Sequence, residues 1–174
     1  MRRTSFEGAV CPIARTTDLI GDWWTPLVMR EALSGTRRFE QFQAHLDIPR
    51  ASLTARLDRL VDEGMLRREP YQDHPVRHEY RLTRKGAEFY SVLAAMWRWG
   101  SDWLYDAPGD SEGDDAFALR LVDRETGEDI RPLVVDEHTG RAIDVRRVRV
   151  EARDPNSARR EPRGGTSPQE EPDR

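Results

Sequence analysis

The stretch from Ile48 to Gly64 limits what this chain can fold into more than any other. Apolar residues recur at Leu53, Leu57, Leu60 and Val61, the spacing that lays one stripe along one face of a helix. Pro49 suits a helix start, where its missing N–H would have had no partner, and Gly64 supplies the left-handed stop. The face away from the stripe carries Arg50, Ala51, Ser52, Ala55 and Arg59, with Thr54 and Arg56 at its edges. An ordinary surface helix would place long Glu and Lys side chains there. Short side chains framed by arginines suit a helix that enters a DNA major groove, which needs close approach and a few donors for phosphates and base edges.

The flanks support that reading. Arg37 to Leu46 predicts a short helix with Phe39, Phe42 and Leu46 on one side. Asp47, Ile48 and Pro49 then join it to the long helix, giving a helix-turn-helix unit. Met65 to Tyr71 and Val76 to Leu82 follow as two strand candidates around the polar tip Gln72-Asp73-His74-Pro75. Tyr80 and Leu82 share one parity while Arg77, Glu79 and Arg81 share the other, the mark of a strand with one buried face. The tip reads as an extended loop, too long for a two-residue turn. Helix-turn-helix followed by such a hairpin predicts a mainly α winged helix with a small β wing.

Cys11-Pro12-Ile13, Asp18-Leu19-Ile20-Gly21, Trp24-Thr25, Arg38-Phe39, Leu53-Thr54-Ala55-Arg56-Leu57, Glu63-Gly64-Met65-Leu66 and Glu79-Tyr80-Arg81-Leu82-Thr83 occur in order and at fitting spacings. From about Cys11 to Trp103 the chain resembles the HxlR family of bacterial winged-helix regulators. The resemblance implies a homodimeric transcription factor on an inverted-repeat operator in double-stranded DNA. It also implies that the first and last helices of the domain form the dimer contact, and it leaves the effector, a small molecule included, open.

The net charge of −4 looks wrong for a DNA binder until it is divided along the chain. From Arg37 to Lys85 there are 11 basic and 8 acidic residues, whereas from Asp106 to Arg174 there are 12 basic and 18 acidic. The acidity sits in the tail, and the local field at a binding face governs phosphate attraction. Within the candidate DNA-binding set, Arg56 and Arg59 are expected at the helix rim for phosphates. Ser52, Thr54 and Arg50 are expected near base edges, with Ala55 allowing close approach. Arg38, His74 at the wing tip and Arg77 complete the set.

Residues 1–10 read as a frayed arm and 11–105 as the DNA-binding and dimerisation domain. A first helix is predicted from Pro12 to Ile20, and a second from a start between Asp22 and Thr25 to about Leu33. Trp24, Leu27, Val28 and Leu33 are expected in the core, with Met29 or Ala32 in part; Trp23 is expected to pack, with a dimer interface or a ligand pocket as the other readings. Thr83 opens the last helix, running to Leu104, whose apolar stripe is too broad for the wing and core to cover. Trp97, Trp99 and Trp103 are the expected dimer anchors.

Residues 106–115 read as a solvated linker. Asp123-Arg-Glu-Thr-Gly and Asp136-Glu-His-Thr-Gly then repeat at an offset of thirteen. With strands expected at 118–122, 131–135 and 142–150, residues 116–152 predict a small antiparallel sheet of three or four strands, an all-β appendage. It resembles the zinc-ribbon appendage of longer family members, but threonine stands where cysteine would hold metal, and His138 alone cannot build a tetrahedral site. No metal and no cofactor are expected. Residues 153–174 read as disordered.

Cys11, the single cysteine, excludes an internal disulfide. It precedes Pro12 at a helix start, where unpaired N–H groups favour thiolate, with Arg15 one turn on. By the resemblance it is the candidate sensor of oxidants or electrophiles; a buried packing role is the other reading. An enzyme finds little support: the four histidines lie in four different elements, and no phosphate loop or nucleophile elbow appears. A winged-helix adaptor for proteins is the competing class, supported by the acidic tail and opposed by the basic groove face. No run of eighteen apolar residues and no signal peptide are present, which points to a cytoplasmic protein without a membrane partner.

Overall fold

Asp22 sets the entry to the first long helix of the molecule. In the computed structural model, which describes residues 6, 8–104, 120–149 and 151, helix α1 (Pro12–Ile20) ends at Gly21 and helix α2 (Trp24–Leu33) begins three residues later. The Asp22 carboxylate accepts from the backbone N–H groups of Trp24 and Thr25, both at 2.9 Å, and from the Thr25 hydroxyl at 2.6 Å. It thereby satisfies donors that a helix start leaves open. Burial pushes this carboxyl up, but the hydrogen bonds from Thr25 and Trp24 and the nearby Arg56 outweigh it and hold it below the usual range.

Helix α3 (Phe39–Leu46) closes on Asp47, which takes a left-handed conformation that Asp tolerates, and Ile48 is buried beneath the turn. Helix α4 (Arg50–Asp62) follows at once from Pro49. Strands β1 (Leu66–Asp73) and β2 (Val76–Leu82) pair antiparallel from Leu66↔Leu82 to Asp73↔Val76. This corrects the expected extended loop. The strands continue to a two-residue tip, His74-Pro75, because a bulge at Tyr71 takes up the residue that made the tip look long. Arg37 O accepts from Tyr80 N at 2.8 Å, tying the approach to α3 onto the outer edge of β2.

Val28, Met29 and Ala32 of α2, Phe42, Ile48, then Leu53, Leu57 and Leu60 of α4 meet Leu66, Tyr80 and Phe89 in one core. Phe42 and Tyr80 pack edge to face, ring centroids 6.5 Å apart. Leu27, expected inside, is exposed instead. The α2 stripe runs through Thr25, Val28, Met29 and Ala32, with Trp24 packed against its edge, so Val28, Met29 and Ala32 lie on the expected face and Thr25 joins them. Trp23 is 91% exposed, which sets aside the packing role and leaves the interface and pocket readings. Glu31 of α2 holds His45 of α3 at 2.8 Å and Thr36 at 3.2 Å, joining these two helices behind the turn.

The last helix of the domain is broken. Helix α5 (Arg84–Glu88) stops at Phe89, and helix α6 (Tyr90–Trp103) continues. Thr83 staples α5 to the α4–β1 corner: its hydroxyl donates to Gly64 O at 2.6 Å and accepts from Gly86 N at 3.1 Å. Gly86 is required there, since a Cβ would lie 2.1 Å from Met65 O.

In the tail the Asp-x-x-Thr-Gly repeat forms two equivalent turns. Gly127 and Gly140 are left-handed, and each leading aspartate accepts from the threonine N–H three residues on, at 2.9 and 2.8 Å. Each turn closes a single bridge, Val122 to Asp129 and Val135 to Ala142. Among the described residues the expected sheet of three or four strands is therefore replaced by two short separate hairpins. With Leu133, Val134, Val135 and Ile143 all exposed, the apolar alternation has no buried layer to hold strands together. Arg131 contacts Asp102 at 3.1 Å and Arg98 donates to Pro132 O at 3.2 Å, joining the segment between the two hairpins to α6. The expected linker 106–115, the tail 153–174 and residues 1–5 and 7 of the arm lie outside the described residues. No described helix is long and apolar enough to cross a membrane.

Candidate nucleic-acid interface

The start of α4, the start of α3 and the wing enclose a groove of about 670 Å³. Its walls include Arg38, Arg50, Arg68, Arg77 and His78, with Phe39, Tyr71 and Tyr80 between them and Glu40 as the acid. Two of the arginines rest on rings. The Arg38 guanidinium lies 4.7 Å from the Tyr71 ring centroid, and that of Arg50 lies 4.7 Å from Phe39. Ring stacking orients a guanidinium while leaving its in-plane N–H donors free for phosphate or base edges. Arg68 approaches His78 at 3.3 Å, and among the described residues Arg38, Arg50, Arg68 and Arg77 form no ion pair with a carboxylate.

The outer face of α4 runs through Ala51, Thr54, Ala55 and Asp58, all exposed, with Ser52 half-buried beside them. Thr54 donates to Arg50 O at 3.0 Å, so its hydroxyl keeps acceptor capacity toward the outside. Small side chains occupy the first two turns. Asp58 and Asp62 follow, and their charge would meet phosphate unfavourably, so close approach is confined to the beginning of the helix.

Arg56 and Arg59 are placed differently from the rim positions expected of them. Both point toward the α1–α2 corner. Arg56 Nε lies 2.9 Å from Asp22 Oδ1, a charge contact too poorly angled for a hydrogen bond. Arg59 donates to Asp18 O at 2.7 Å, with the Asp18 carboxylate 3.8 Å away. Both are only about a quarter exposed, 26% and 27%. The placement has a simple cause: both fall on the flank of α4 where acidic residues of α1 and α2 pack, a tertiary neighbour that helix periodicity does not reveal. They fix the pose of α4.

Of the predicted set, the structure brings Arg38, Arg50 and Arg77 together in the groove. Ser52, Thr54 and Ala55 lie on or beside the open face of α4, and His74 is exposed at the wing tip. The sequence does not assign Phe39, Arg68 and Tyr71 to the groove, whereas His78 reads there as a DNA contact or a solvent-exposed residue. Strand alternation holds a signal for Arg68, which sits opposite Tyr80 in the register and so shares its face.

Cys11 is half-buried at the N-cap of α1. On α6, Trp97 is half-buried, whereas Met96, Trp99 and Trp103 fall on one open face at 47%, 59% and 74% exposure. Ile13 of α1 is also exposed. No group of three or more metal-ligating side chains is gathered among the described residues.

Residues 19–108 match the family of HxlR-like helix-turn-helix proteins. The uncharacterized HTH-type transcriptional regulator Rv3095 of Mycobacterium tuberculosis is 36% identical over 143 residues, 82% of this chain and 85% of that protein. The crystal structure of PA1607 superimposes with a TM-score of 0.72 at 37% identity, covering 87% of this chain and all of that one. The reduced form of the redox regulator HypR aligns at a TM-score of 0.50 and 30% identity, covering 53% of this chain and 92% of HypR.

Proposed function

Because the chain belongs to the HxlR-like helix-turn-helix family, we propose that it regulates transcription as a homodimer bound to an inverted-repeat operator. The start of α4 enters the major groove, and the wing tip at His74 reaches the adjacent backbone or minor groove. Arg38, Arg50 and Arg77 contact phosphates or base edges, while Ser52, Thr54 and Ala55 line the helix face that meets the bases. The observation that carries this reading is the groove itself, where arginines without carboxylate partners sit on aromatic rings beside a helix face of small residues.

The open Met96, Trp99 and Trp103 face of α6, with exposed Ile13 on α1, supports the dimer, since such aromatics are characteristic interface anchors. Residues 11–105 form the functional unit in this reading, with 116–152 an appendage that needs no metal. Cys11 is the point at which oxidants or electrophiles act; its position at a helix N-cap and the likeness to a redox regulator support this. Footprinting on an operator selected from random duplexes tests the proposal. Two protected patches with centres about one helical turn apart are expected of a two-fold dimer. One unrepeated patch, or none at low salt, would overturn it.

A further inference from the structure

The back of the wing carries arginines that the groove does not use. Arg67 pairs with Arg81 in the register and Glu69 with Glu79. Alternation therefore puts these four on the face opposite Leu66, Arg68 and Tyr80. Arg67 Nε lies 2.6 Å from Glu69, and Arg81 Nε lies 3.1 Å from Glu69 and 2.6 Å from Glu79. Two carboxylates thus neutralise two guanidiniums and hold them by their Nε edges. A guanidinium has five N–H donors, so the Nη groups retain donors for another partner.

Two more cations converge there. Arg37 comes from the segment hydrogen-bonded to the edge of β2, and Arg124 reaches in from the first Thr-Gly turn of the tail. Neither has a carboxylate partner among the described residues. Asp123, beside Arg124, spends its carboxylate on the N–H groups of Glu125 and Thr126. With the C-terminal end of α2 these residues enclose about 350 Å³, and Ala32, Leu33 and Leu82 give the space an apolar wall. The size falls within the range of small-molecule sites, roughly 300–1,000 Å³, and a few polar groups on an apolar wall is their usual make-up.

We infer that this pocket binds a small organic anion, a carboxylate or phosphate ester carrying a compact apolar group, with Arg37 and Arg124 clamping the charge from opposite sides. The charge balance demands an anion: four guanidiniums face two carboxylates. Planar guanidiniums suit carboxylate or phosphate oxygens, which they can bind in a bidentate manner. The apolar wall would be wasted on an inorganic ion. Duplex DNA is the poorer occupant, since Arg37, Arg67, Arg81 and Arg124 do not line the groove at the start of α4. A bound anion would tie the tail to the wing and so link the appendage to the DNA-binding unit.

Calorimetric titration of the full chain with phenyl phosphate and benzoate, against inorganic phosphate as the charge-only probe, tests this. Saturable binding of one phenyl phosphate or benzoate per chain is expected, weakened about tenfold or more in Arg37→Gln and in Arg124→Gln, as loss of one charged hydrogen bond implies. Arg50→Ala, at the start of α4 and in the wall of the DNA groove only, should bind the probes like wild type and so separates this site from that groove. Failure of all probes to saturate, or wild-type affinity in both glutamine variants, would overturn the inference. Inorganic phosphate binding as tightly as phenyl phosphate would refute the role of the apolar wall. If no probe binds while Arg37→Gln and Arg124→Gln both lower affinity for duplex DNA, the face is a phosphate track and the inference falls.

Discussion

Replacing Asp22 with alanine removes three supports at once. Its carboxylate caps α2 through two backbone N–H groups, accepts the hydroxyl of Thr25, and faces Arg56 of α4. Loss of a helix cap costs about 1 kcal/mol. Thr25 is 1% exposed, so its hydroxyl would be left buried without a partner, worth about 1–3 kcal/mol. Arg56 can turn partly into water, so its contact adds less than about 1 kcal/mol. Asp22→Ala should therefore destabilise the fold by about 3 kcal/mol, measured by urea denaturation at fixed protein concentration. In a Thr25→Val background the loss should shrink by at least about 1 kcal/mol, because no hydroxyl remains to be stranded. Asp22→Asn keeps the cap and should cost only about 1 kcal/mol at neutral pH. The sign with pH is fixed by the depressed carboxyl. Its stabilisation is present above the unfolded value near 4 and is lost as pH falls through the lower folded value. The Asn variant should therefore lose less stability than wild type across that acid window. An Asp22→Ala protein within about 0.5 kcal/mol of wild type, the range of an ordinary surface change, would refute the reasoning.

Other consequences are as specific. Gly86→Ala should lower stability by more than about 2 kcal/mol, because backbone at Met65 blocks the new methyl; an unchanged melting temperature would contradict the α5 packing. Trp99→Ala with Trp103→Ala should weaken self-association by about 30-fold or more, the loss expected from interface hot spots, as read by analytical ultracentrifugation. Unaltered association would remove α6 from the dimer contact. If Cys11 is the sensor, diamide should abolish specific operator binding in wild type and spare Cys11→Ser, while binding to random duplex, held by phosphates, persists in both. Equal responses of the two proteins would leave Cys11 a packing residue.

Much of the DNA-binding unit was legible because its signals are local. Pro49 and Gly64 bracket α4, Thr83 opens α5, and the leucine spacing of α4 marks its core face. What escaped was what a distant part of the chain decides. Arg56 and Arg59 looked free because nothing near them in sequence announces Asp18 and Asp22. Leu27 and Met29 are both apolar neighbours of Val28, and only the packing of α2 on α4 chooses between them. The bulge at Tyr71 shortened the wing tip without a glycine to advertise it. In the tail, alternation alone suggested a sheet, but strands without a second layer reduce to single bridges at the two Thr-Gly turns.

The groove arginines, rather than Arg56 and Arg59 on the flank of α4, are the ones expected to hold DNA. The most direct measurement is affinity for duplex DNA across a range of salt in Arg50→Ala, Arg77→Ala and Arg59→Ala. Removing one phosphate contact should lower the slope of log affinity against log salt by about one. That loss is expected for Arg77→Ala, with a lower affinity for Arg50→Ala, while Arg59→Ala keeps the wild-type slope because its guanidinium is engaged with Asp18. A flattened slope in Arg59→Ala, with Arg50→Ala and Arg77→Ala behaving as wild type, would contradict the account.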